Sequence, residues 1–173
     1  MSRARAISIF VGHGVMLAVG LVALGVVLAS CFGPSPLELE RRALRHAKLA
    51  LDHAQRLLPL LEVGSWDPAY KRAGKLRGEL EQTTDFLDRA LKKWALRGQS
   101  PLRWELDSLD ILSEVADSLD YIQEKLSPPQ PEEITTSTQN RLIERAEEIA
   151  KDLERVVQKI EKAIEKRLAP APE

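Results

Sequence analysis

The apolar positions from residue 37 onward fall into four stretches, each with helical spacing. In the first, from about 37 to 63, Leu44, Ala47, Leu51, Ala54, Leu58 and Leu61 alternate steps of three and four, which is one stripe on a helix. The second opens near Asp67-Pro68, read as an N-cap followed by proline at the first helical position. It carries Ala73, Leu76, Leu80, Thr83, Leu87, Ala90 and Trp94. The third starts at Ser100-Pro101 by the same logic and carries Leu106, Leu109, Leu112, Ala116, Leu119, Ile122 and Leu126. The fourth starts at Glu133 or Thr136, runs to Leu168, and carries Leu142, Ala146, Ile149, Leu153, Val156, Ile160 and Ala163.

Breakers separate the four stretches. Gly64-Ser65 and Gly98 stop the first two, and Pro128, Pro129 and Pro131 form a stiff connector before the fourth. Pro59 should kink or weaken the last turn of the first helix. No stretch reads as a strand. A helix with one apolar face is not stable alone in water, and four of them with short connections predict an all-α, antiparallel up-down-up-down four-helix bundle over 37–168. Residues 169–173 read as a flexible tail.

The first thirty residues have a different pattern. Arg3 and Arg5 precede an apolar run, and Val15 to Ala29 contains no charged side chain. That length suits the core of a signal peptide better than a spanning helix, although the whole run from Ala6 to Leu28 is long enough to cross a bilayer as an uncleaved anchor. Leu28-Ala29-Ser30-Cys31 resembles the bacterial lipobox, with an aliphatic residue and two small ones before the cysteine that takes lipid. Cys31 is the only cysteine in the 173-residue chain, and a short 31–36 tether follows it. The expectation is a cleaved signal peptide over 1–30 and a lipidated Cys31, with the mature chain facing a periplasm or a lumen. Attachment of this kind is stable with two acyl chains and marginal with one.

Composition refines this picture. All 26 acids lie after Cys31 against 23 bases, so the mature chain carries about −3 and nothing about it suggests nucleic acid. A single cysteine excludes internal disulfides and multi-cysteine metal sites. His46 and His53 lie seven apart on one helix face and would need a further ligand from another helix to hold a metal. No Glu-x-x-His, phosphate-cradling glycine loop or nucleophile-base constellation is present, so the chain does not read as an enzyme and calls for no cofactor or small-molecule substrate. An interior ligand site would want polar groups on the apolar stripes, and only Thr83 supplies one.

Charge is unevenly spread. From Glu105 to Glu124 there are seven acids and no base, with Asp107, Asp110, Glu114 and Asp117 sharing a face. Bases gather on the first two helices at Arg41, Arg42, Arg45 and Lys48, then at Lys71, Arg72, Lys75 and Arg77. These faces either pair within the bundle or dock on an acidic protein surface or anionic lipid. Trp66, at the corner between the first two helices, either plugs the end of the bundle or anchors a partner.

Trp66 at that corner, Gly74-Lys75-Leu76-Arg77 in the second helix, and Asp117, Leu119 and Asp120 in "VADSLDYIQEK" together resemble the PsbQ family. Its cyanobacterial form is a lumenal lipoprotein of photosystem II. The interval from Trp66 to Leu76 is about one helical turn shorter here than in that family, and the Gly-Pro of the family's cyanobacterial GPLG stretch is absent. The resemblance implies a lipid-anchored, non-catalytic extrinsic subunit of the water-oxidising side, holding no metal of the cluster. It would contact the photosystem II core or other extrinsic subunits through Trp66, Lys71, Arg72, Lys75 and Arg77. An envelope lipoprotein acting as an adaptor is the alternative.

Overall fold

A computed structural model describes residues 33–127 and 134–169. The readings made for the first 32 residues, including Cys31, lie outside the described residues. So do the connector prolines Pro128, Pro129 and Pro131 and the tail beyond residue 169. Four helices make up the described part: α1 (Pro36–Glu62), α2 (Trp66–Leu96), α3 (Arg103–Leu126) and α4 (Thr136–Leu168). No described residue is in a strand.

The helix ends follow from local chemistry. Ser35 caps α1, its hydroxyl accepting from the Glu38 N–H at 3.1 Å, with Pro36 at the first helical position. At the other end the Ser65 N–H reaches the Leu60 carbonyl (2.8 Å) and the Gly64 N–H reaches Leu61 (3.2 Å). This paired closure needs a left-handed residue, and Gly64 supplies it at φ +70°. Gly98 closes α2 in the same way at φ +72°. Pro59 does not end α1, which continues to Glu62, and the proline sits on the exposed side of the helix.

Two starts differ from the sequence expectation. α2 begins at Trp66 because the Gly64 closure leaves only Ser65 as a junction, so Asp67 lies inside the first turn and pairs with Lys71 at 2.7 Å. α3 begins at Arg103, after Leu102, because the Glu105 carboxylate turns back to accept the Leu102 N–H at 2.6 Å.

The helices form a ring in which α1 packs on α2 and α4, and α3 packs on α2 and α4. Contacts between opposite ends establish the antiparallel sense. Gln139, at the start of α4, donates to the Leu61 and Glu62 carbonyls at the end of α1 (2.8 and 3.0 Å). Lys159, late in α4, pairs with Asp107, early in α3, at 2.7 Å. The all-α four-helix bundle expected from the stripes is therefore the observed fold. Among the described residues no helix is long and apolar enough to cross a membrane.

The predicted stripes of α2 and α4 are buried throughout. The α1 core face is rotated slightly: Ala43, Ala47, Ala50, Ala54, Leu57 and Leu61 are central, while Leu44, Leu51 and Leu58 flank them. Small side chains at the centre let α1 approach its neighbours closely, and the leucines close the margins. In α3 the first two turns differ more. Glu105 and Ser108 point inward, Val115 replaces Ala116 in the core, and Leu106 is 47% exposed. From Leu112 onward the remaining predicted positions Leu119, Ile122 and Leu126 are buried as expected.

This rotation is testable. Leu119→Ala should cost about 2–5 kcal/mol, as for other buried leucines. Leu106→Ala should stay within roughly 0.5 kcal/mol. Urea melts of the two variants would check it, and a large loss at Leu106 would place the α3 face where periodicity alone puts it.

Candidate functional site

Each of the four helices contributes one side chain to a buried polar cluster at the end where α1 begins, here called the proximal end. These are Glu40 from α1, Trp94 from α2, Glu105 from α3 and Arg167 from α4. Glu40 and Glu105 are fully buried and Arg167 is 8% exposed. The Arg167 guanidinium donates to both Glu105 oxygens (3.0 and 3.1 Å from Nη2, 3.2 Å from Nε) and to Gln99 Oε1 at 2.8 Å. Its carbon lies 4.3 Å from the centre of the Trp94 ring, a cation–π contact shielded from water. The Trp94 indole N–H donates to Glu40 Oε1.

Two acids face one cation here, and Arg167 satisfies Glu105. Its Nε is 3.9 Å from Glu40 Oε1, and Glu40 Oε2 has no hydrogen-bond partner. Burial therefore pushes the Glu40 carboxyl up to about 7, with the nearby Glu105 charge adding to the shift and the Trp94 hydrogen bond opposing it. A protonated Glu40 can donate to Glu105 and relieve both the orphaned oxygen and the like-charge repulsion.

The residues singled out by sequence lie elsewhere. Lys71, Arg72, Lys75 and Arg77 are on the first turns of α2, at the distal end, so they do not join this cluster. Lys71 and Lys75 are exposed, and Lys71 pairs only with Asp67 on its own helix. Arg77 makes an ion pair with Asp120 of α3. Arg72 donates to His53 Nδ1 of α1 at 3.0 Å; burial and this guanidinium together lower the His53 pKa. Trp66 is half-buried against the end of the core, beside Gly64. His46 pairs with Glu79 at 2.7 Å and stacks on Phe86, so both histidines of α1 serve the α1–α2 seam. Among the described residues no acid, histidine and cysteine group is placed to hold a metal.

On the acidic α3 face, Asp107 is engaged by Lys159, which holds its carboxyl below the usual range, while Asp110, Glu114 and Asp117 are exposed. The α2–α3 seam carries a groove of about 400 Å³ floored by Leu80, Leu112, Ala116 and Leu119, with Arg77 and Asp120 also lining it.

Sequence reading missed the cluster because Glu40 and Glu105 look like ordinary polar positions beside apolar stripes. The available signal was Glu105 three residues after Leu102, the spacing of a carboxylate that turns back on a helix start.

The cluster gives a pH signature of definite sign. Glu40 keeps its proton in the folded chain up to about pH 7 but loses it near 4.5 when unfolded, so stability falls as pH rises through that window. The loss is on the order of 3 kcal/mol for this group. Glu40→Gln should flatten the wild-type slope between pH 5 and 8 in urea melts read against the parent. Arg167→Met leaves the buried Glu105 without its cation and should cost about 3–5 kcal/mol. A parent-like pH profile in Glu40→Gln would show that Glu40 is not the group responsible.

No family model, curated protein or solved structure matches this chain.

Proposed function

We propose that this protein is a lipid-anchored, non-catalytic accessory subunit that docks through the distal end of its bundle onto a membrane complex, in the manner of the PsbQ family at the lumenal side of photosystem II. The observation that carries this reading is the state of the distal basic residues. Lys71 and Lys75 are exposed, and Lys71 is held only by an exposed pair one turn away, which is worth little and exchanges readily for a partner's acid. Trp66 lies close by, half-buried at the same corner. The PsbQ resemblance supplies the nature of the partner, and the lipobox-like Leu28-Ala29-Ser30-Cys31 supplies the anchor.

The four bases are not equivalent in such a role. Arg72 and Arg77 bridge to neighbouring helices, so their replacement would disturb the bundle itself. Lys71 and Lys75 carry the docking charge that is free to change. An envelope lipoprotein with adaptor or structural partners remains the second reading. It is favoured by the exposed acidic face of α3, which the photosystem reading does not use.

The test is purification of the tagged chain from its source membranes in mild detergent at low salt, with the co-eluting proteins identified by mass spectrometry. Photosystem II core or extrinsic subunits should co-elute and be released as salt rises. Lys71→Glu with Lys75→Glu should reduce their recovery about tenfold or more, while the melting temperature moves little because both side chains are exposed. Recovery of envelope proteins instead would favour the second reading. The mass of the mature N-terminus would test lipidation of Cys31 in the same sample.

A further inference from the structure

Among the described residues, six large apolar side chains are exposed, and four of them sit at the proximal end. Leu96 (67%) ends α2, Trp104 (37%) and Leu106 (47%) open α3, and Leu168 (54%) ends α4. Bases surround them. From Arg89 to Trp104 the chain has five bases and no acid. Arg97, Arg103 and Lys166 are exposed, and the Arg97 guanidinium lies 5.9 Å from the Trp94 ring centre. The exposed acids in this neighbourhood are Glu38, which pairs with Arg42 at 2.5 Å, Asp110, one turn beyond Leu106, and Glu165.

This mixture of tryptophan, leucine and basic side chains is the composition that settles at a bilayer interface, where an aromatic ring takes the headgroup level and bases meet anionic lipid. The chain also leads there. α1 starts at Pro36, only five residues after Cys31, a reach of at most about 18 Å when fully extended. The distal end of α1 lies roughly 40 Å further along the helix. A chain held to a membrane at or before Cys31 can bring its proximal end to the surface, whereas its distal end is beyond the tether unless the bundle lies flat on its acidic flank.

We infer that the proximal end of the bundle is a lipid-contacting surface, with Leu96, Trp104, Leu106 and Leu168 entering the interfacial layer and Arg97, Arg103 and Lys166 meeting anionic headgroups. The bundle then stands upright, and its distal bases face away from the bilayer. This rests on the membrane-anchoring part of the proposed function and not on the identity of the docking partner.

The test uses the full chain purified from membranes and incorporated into vesicles of phosphatidylcholine alone or of phosphatidylcholine with phosphatidylglycerol, each containing brominated acyl chains that quench nearby tryptophan. Flotation is measured first. Quenching should be stronger in the anionic vesicles, should fall at least twofold in Trp104→Phe, and should not fall in Trp66→Phe, whose ring is at the distal end. The triple variant Arg97→Gln, Arg103→Gln, Lys166→Gln should bring quenching in anionic vesicles down to the level in neutral ones, with the parent far-UV spectrum retained. Flotation with quenching unaffected by Trp104→Phe, or equal in both lipids, would overturn this surface while leaving the anchor standing. Failure to float would overturn both.

Discussion

The interaction on which the bundle most depends for its alignment is the buried contact of Arg167 with Glu105, joined by Glu40 and Trp94. Apolar burial supplies most of the stability, but it is non-directional and tolerates sliding and rotation of one helix on another. A guanidinium with fixed donor geometry does not. Because each helix supplies one member, the cluster ties all four to a common height at the proximal end. Replacing such a group by well-packed apolar side chains can be neutral or stabilising, so its value here is read as alignment more than net energy.

The seams are built unequally around that anchor. The alanines of α1 allow close approach to α2 and α4, and His46, His53 and Gln139 add directional contacts along those seams. The α2–α3 seam has fewer devices. Its groove is lined by Leu80, Leu112, Ala116 and Leu119, and by the Arg77–Asp120 pair that joins the two helices. Lys159 and Asp107 play the corresponding part between α3 and α4.

The two ends of the bundle differ in chemistry. The proximal end buries Glu40, Glu105 and Arg167 and exposes aliphatic and aromatic groups among other charged side chains. The distal end buries the apolar face of Trp66 and exposes lysines.

What the sequence determined by itself was the number of helices, their extents to within a few residues, and the buried faces of α2 and α4. Those follow from periodicity and from Gly64, Gly98 and the prolines of the third connector, all local properties of the chain. The basic and acidic faces were also legible, though not their partners. Only the tertiary structure decided that Arg77 meets Asp120, that Arg72 meets His53, and that Glu40 and Glu105 are core residues. A glutamate beside an apolar stripe reads as solvated unless a cation from another helix, here Arg167 some sixty residues away, is brought against it. With Glu105 turned inward to Arg167, the start of α3 leaves Leu106 exposed, because a buried charge must follow its partner while a leucine can be left at the surface at modest cost.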